Sequence, residues 1–174
     1  MFGKFAFLVA AVAVQSIPIV NIPIQKPPRQ SERPIAPIET SGPEFVTTCK
    51  DSTEWDKPAP PVPIHGNTYL VGTCGISAVL ITGEGGHILI DCGTEVGADL
   101  IAANIRKLGF RLGDVKYLLH SHEHLDHVGG TSRLQRLTGA RLVASRDAAK
   151  VFRTGAPTSD DPQAGMHPPL PPAV

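Results

Sequence analysis

The sequence predicts an α/β (α+β) fold occupying the middle of the chain, on three observations. Short apolar runs alternate with one amphipathic helical stretch between Thr68 and Leu119, the order that builds crossover units. Of the 17 prolines, seven lie between Pro18 and Pro43, four between Pro58 and Pro63 and six between Pro157 and Pro172, so none falls from Ile64 to Ala156. Four of the seven histidines fall within the eight residues from His120 to His127, directly after an apolar run. That is where a strand ends and a helix begins, the place α/β folds reserve for ligands.

With 174 residues the chain holds at most one ordinary domain. Its formal net charge is zero and it has no long basic run, which excludes nucleic acid as an expected partner. One positive charge, Lys4, precedes the ten-residue apolar run Phe5 to Val14. A bilayer span needs about 20 residues, so this run has the size of a signal-peptide core, with Ala11-Val12-Ala13 as a small-x-small cleavage site. A buried N-terminal helix is the alternative, and Pro18 and Pro23 stop it. Residues 1–16 are therefore expected to be a signal peptide, and the mature chain an exported, periplasmic one with no membrane segment. Residues 17–44 read as a proline-rich flexible spacer, and residues 45–174 as the domain.

The elements follow in order. Trp55 and Pro58-Ala59-Pro60-Pro61-Val62-Pro63 form an extended arm. It either packs beside the active-site groove or uses its tryptophan as an anchor to the core. Thr68 to Val71 is a strand. Ile76 to Ile81 and His87 to Ile90 are two more, joined by Gly83-Glu84-Gly85-Gly86 as a hairpin. Ile88-Leu89-Ile90 is apolar on both faces, as for a strand covered on both sides. Glu95 to Leu108 has apolar residues at helical spacing (Val96, Leu100, Ile101, Ile105, Leu108), and Gly109 is its natural stop. Val115 to Leu119 is the strand that leads into the histidines. Leu134 and Leu137 mark a weak helical spacing beyond them, Arg141 to Ala144 a further strand, and Asp147 to Phe152 a short helix.

The histidine cluster carries the chemistry. Side chains two apart in an extended segment point the same way, so His122 and His124 can converge on one ion. Asp126 and His127 lie in the following turn, point elsewhere and suit a second ion. Imidazole and carboxylate suit zinc, at about 2.0–2.1 Å from nitrogen, and paired metals about 3.5–4 Å apart can activate water and steady a leaving group. A histidine-rich surface loop is the bland alternative. HxHxDH between a strand and a Gly-Gly helix entry makes it the weaker one. Asp91 ends a buried strand, where a carboxylate needs a hydrogen bond or a cation. It is either a group that holds the metal loop or a turn former.

His122-x-His124-x-Asp126-His127 resembles the signature of the metallo-β-lactamase superfamily. The resemblance implies an αββα sandwich, of which this sequence shows the first half only. It also implies that His122 and His124 serve one zinc, that Asp126 and His127 serve a second, and that a complete site holds two. The superfamily keeps an aspartate at the place of Asp91 without using it as a direct ligand. Two further ligand motifs of the family, from its later half, are not visible before Val174. The stretch from Trp55 through Asn67-Thr68-Tyr69-Leu70-Val71-Gly72-Thr73-Cys74-Gly75-Ile76, and the tail Asp160-Asp161-Pro162-Gln163, resemble secreted subclass B3 enzymes. The implied function is hydrolysis of a β-lactam amide, a small-molecule substrate, by a metal-bound hydroxide that Asp126 orients. A lactonase of the same fold, or an inactive truncated fragment, are the alternatives, and the fragment alone is expected to have little activity. Export permits a disulfide, and Cys49–Cys74 is the preferred pair because Cys92 lies close to the metal site. His120 and Ser121 are not expected to be a ligand or a nucleophile.

Overall fold

A computed structural model of the chain describes residues 42–52 and 54–173. The expected signal peptide, and the spacer up to Ser41, lie outside them. Helix α1 (Gly42–Cys49) buries none of its residues, and a disulfide from Cys49 to Cys74 ties it to the body. The body is one six-stranded sheet in the order β1 (Val62–His65), β2 (Thr68–Leu70), β3 (Val79–Ile81), β4 (His87–Ile90), β5 (Val115–Leu119) and β6 (Arg141–Leu142). The first four strands pair antiparallel. β4, β5 and β6 pair parallel. The end of the proline arm is thus the edge strand β1, a place that tolerates Pro63 because an edge has amides to spare.

Helix α2 (Glu95–Lys107) is the expected crossover between β4 and β5. Thr94 begins it: its hydroxyl accepts the Gly97 amide at 2.9 Å and donates to Asp56. Leu108 and Gly109 (φ +85°) end it. Ile101, Ile105 and Leu108 are fully buried against Leu80, Leu89 and Leu118 of the sheet. Val96 is 65% exposed, so the sequence spacing put one residue too many on the inner face. Asn104 sits inside that face, and its amide donates to the carbonyls of Ala59, Val71 and Gly72 at 3.0–3.1 Å. The Ala59 bond ties the proline arm to α2, and the Cys74 amide, which donates to Lys57, and the Thr73 hydroxyl, which donates to the Trp55 carbonyl, tie it to the loop after β2; Trp55 itself is 42% exposed, its ring 6.4 Å from that of His167.

α3 (Leu125–Val128) and α4 (Thr131–Thr138) follow β5, and α4 packs on α2. α5 (Ala148–Thr154) seats Phe152 beside Val128. Two strands are shorter than their apolar runs. Ile76 spends its carbonyl on the Thr73 amide in a turn, and β6 stops at Leu142. The expectation that Ile88-Leu89-Ile90 is covered on both sides does not hold among the described residues. Leu89 is fully buried, but Ile88 and Ile90 are only half-buried, because α2 and α4 cover one face and nothing described covers the other. No helix among the described residues is long and apolar enough to cross a membrane.

Candidate metal centre

The parallel strands β4 and β5 end side by side, Ile90 opposite Leu119, and the chain turns away from both. Asp91 follows β4 in the left-handed region at φ +64°, a conformation aspartate adopts more readily than most residues. Its amide donates to Leu119 and the Cys92 amide to His127. The Gly130 amide donates to Gly93. The two loops are thus laced together by backbone bonds at 2.8–2.9 Å. A Cβ on Gly130 would stand 2.2 Å from the Cys92 carbonyl oxygen and one on Gly129 2.7 Å from that of Leu125. The Gly-Gly pair is what lets the histidine loop lie against the end of β4.

Asp91 then orients the loop. One carboxylate oxygen accepts the Ser121 amide at 2.8 Å, the other the Ser121 hydroxyl at 2.8 Å, and His127 Nδ1 lies 3.0 Å from that second oxygen. A carboxylate only accepts, so His127 carries its proton on Nδ1 and leaves Nε2 as a lone pair. The Ser121 hydroxyl, its proton given to Asp91, sits 2.9 Å from His122 Nδ1 and accepts from it, which frees Nε2 of His122 in the same way. Ser121 is therefore a link that orients imidazoles, and its proton is committed to a carboxylate. Sequence spacing alone could not show this.

The two freed rings meet Asp126. His122, Asp126 and His127 each offer a ligand atom, and the three atoms lie within 4.8 Å of one another. His127 Nε2 faces an Asp126 oxygen at 3.2 Å. A lone pair against a carboxylate is repulsive unless a proton or a cation lies between them, so the donor set fits a metal ion. The grouping differs from the one expected from spacing. Asp126 and His127 do not point elsewhere: the turn into α3, tethered through His127 to Asp91, swings both back beside His122. His124 is the odd one out, its ring 4.7 Å from that of His122 and its Nε2 3.5 Å from an Asp161 oxygen.

Two neighbours stay outside the donor set. Burial pushes the Cys92 thiol up to about 12, more than the Thr131 hydroxyl beside it lowers it, so at neutral pH it is a protonated core residue and no thiolate ligand. Burial likewise pulls His120 down to about 4. Its ring lies 4.7 Å from that of Phe152, and neither nitrogen has a hydrogen-bond partner among the described residues.

The sequence profile described as "Metallo-beta-lactamase superfamily" matches residues 71–173, more than half of the chain. The chain belongs to this superfamily. Among solved structures, the MIM-2 metallo-beta-lactamase is 57% identical over 75% of this chain and 49% of its own, with a TM-score of 0.71. MEM-A1, a subclass B3 metallo-beta-lactamase from a soil metagenome library, is 52% identical over 70% and 46%, at 0.68. SMB-1, solved in a complex with mercaptoacetic acid, is 49% identical over 70% and 46%, at 0.67. The mixed sheet with its helices matches the superfamily fold, and the chain spans about half the length of these structures. The superfamily implies a metal, and the His122–Asp126–His127 cluster is where this chain offers one a place.

Proposed function

We propose that this chain carries part of the zinc centre of a β-lactamase that opens the β-lactam amide. The observation behind the reading is the convergence of His122, Asp126 and His127, with their tautomers set by Asp91 and Ser121, in a chain 57% identical to a metallo-beta-lactamase. His122, His124, Asp126 and His127 hold the metals, two zinc ions in a complete site. When bound, zinc supplies an activated water and an electrophile for the departing nitrogen. Asp126, beside His122 and His127, would help hold the ions and, as a carboxylate, could accept a hydrogen bond from the nucleophile they supply. Asp91 keeps both imidazoles presented. An oxidising, periplasmic location goes with the reading: the Cys49–Cys74 bridge and the apolar run Phe5 to Val14 both support it.

The test is made on the chain carried to the full length of its relatives. Zinc content and turnover of a penicillin, a carbapenem and an acyl-homoserine lactone are measured before and after His122→Ala and Asp126→Ala. Tight zinc and β-lactam turnover, both lost in the variants, are the expected result. Turnover of the lactone alone would move the assignment to a lactonase. Zinc and ring opening untouched by both substitutions would sink it.

A further inference from the structure

The turn between β3 and β4 lies at the start of β4, the end away from Asp91. Its sequence, Gly83-Glu84-Gly85-Gly86, offers one side chain, and that one is exposed. The Gly86 amide donates to the Gly83 carbonyl at 3.1 Å. His87, the next residue, adds a second tie, because its Nδ1 accepts the Gly83 amide at 3.3 Å. His87 is buried and its ring stands edge-on to that of Phe110, the centroids 5.1 Å apart at 77°. Phe110 stands edge-on to Tyr69 of β2 in turn, at 5.3 Å. Since Phe110 follows Gly109, three rings in a row join the turn, the exit of α2 and β2. A nitrogen that accepts carries no proton, so the neutral ring is protonated at Nε2. A second proton has to enter at Nδ1, where it faces the Gly83 N–H and the bond is lost.

We propose that His87 is an acid-released latch on the β3–β4 turn. The neutral ring holds the turn closed, and protonation at Nδ1 removes the acceptor, so the turn and the row of rings behind it loosen in acid. The surroundings set the direction. Burial pulls the ring below the ordinary histidine value, more than Asp114 and backbone bonds to Gly86 and Gly83 raise it, and Lys116 lowers it further. Asp114 stands before β5 and Lys116 on it, and a Cβ on Gly86 would lie 2.3 Å from Lys116 Cγ. Of the other ionisable groups on these elements, Glu84 and Arg111 are exposed and Tyr69 lies beyond Phe110. The unfolded chain binds this proton near pH 6.5 and the folded chain only at lower pH. The stability the latch contributes is therefore whole above 6.5 and is lost as pH falls below it. The latch is independent of the zinc reading, because the metal loop follows the other end of β4.

The experiment uses the 174-residue chain labelled with nitrogen-15. Long-range nitrogen–proton spectra read the His87 tautomer at pH 8, where free imidazole is neutral, and follow the ring as the pH is lowered. Hydrogen exchange reads the Gly83 amide. The parent is expected to show His87 protonated at Nε2 at pH 8 and a midpoint below 6.5. Between about pH 7.5 and 5.5, protection of its Gly83 amide, corrected for intrinsic exchange, should fall about 2- to 10-fold, as for one hydrogen bond lost. His87→Asn keeps an acceptor near the place of Nδ1 and cannot be protonated, so its Gly83 protection should stay constant over that range. His87→Phe keeps a ring against Phe110 without an acceptor, and its protection should be low throughout. The metal-loop histidines titrate in all three proteins, so differences among them isolate His87. A parent ring protonated at Nδ1 at pH 8, or one that titrates at 6.5 or above, overturns the latch whether or not either variant folds. So does an Asn variant whose Gly83 protection falls with pH as the parent's does.

Discussion

Asp91 accepts three hydrogen bonds from a backbone conformation that most residues avoid, and these two demands can be separated by mutation. Asn tolerates the left-handed region, but its amide group would meet the Ser121 and His127 donors where a carboxylate oxygen now accepts. Asp91→Asn should therefore keep the backbone, leave a donor facing donors, and weaken zinc binding by about 10- to 100-fold. Asp91→Ala should do the same to zinc and also lose stability, by about 1–2 kcal/mol for the left-handed backbone on top of the lost bonds. Equilibrium dialysis with zinc and urea unfolding of the two variants separate the contributions. An Asn variant that binds zinc like the parent would remove the orienting role. Asp91 was legible as a residue because a carboxylate at the end of an apolar run needs a partner. Its partners were not legible, since Ser121 lies 30 residues on and reaches it only once β4 and β5 are paired. Spacing placed His122 and His124 on one side, and their rings lie 4.7 Å apart; it could not show that the turn into α3, which begins at Leu125, brings Asp126 and His127 back beside His122.

The elements were read more accurately than their ends. α2 was visible from Glu95 onward because its apolar positions recur at helical spacing and Gly109 stops it. That pattern could not show that Asn104, a polar residue on the inner face, ties the proline arm to α2 through Ala59. The arm has few amides of its own to pair, as prolines lack them, so it depends on donors from elsewhere. Asn104→Leu fills similar space but withdraws the donor from three carbonyls, two of them, Val71 and Gly72, at the end of β2. The expected loss is about 1–3 kcal/mol, seen as a lower urea midpoint. Exchange of the Cys74 amide, which donates to Lys57 at 2.9 Å, should quicken as the arm loosens. An unchanged midpoint together with unchanged exchange at Cys74 would show that the arm is held without Asn104, by burial of Ala59, Pro60 and Pro61 and by its bonds to Thr73 and Cys74.

At the scale of the molecule, among the described residues one face of the sheet is a core and the other is only half-buried. Tyr69, Leu80, Leu89 and Leu118 point toward α2 and α4. Leu70, Val79, Ile81, Ile88, Ile90 and Leu119 point the other way and are half-buried, with Tyr117 41% exposed among them. The sequence displayed both sets of apolar residues, and it is the burial of only one set that tells them apart. A continuous apolar surface of this kind binds something or self-associates. The 174-residue chain should therefore enhance the fluorescence of an apolar dye such as anilinonaphthalene sulfonate and sediment as concentration-dependent oligomers. Ile81 and Ile88 are cross-strand neighbours on that surface, away from Asp91 and the histidines. Replacing both by Thr keeps the β-branched shape that strands favour while making the patch polar. The double variant should lose dye binding and sediment as a monomer, with zinc uptake at the His122–Asp126–His127 cluster unchanged. If the parent is already a dye-silent monomer, this face is covered in solution, and the sheet is packed on both sides as its β4 sequence first suggested.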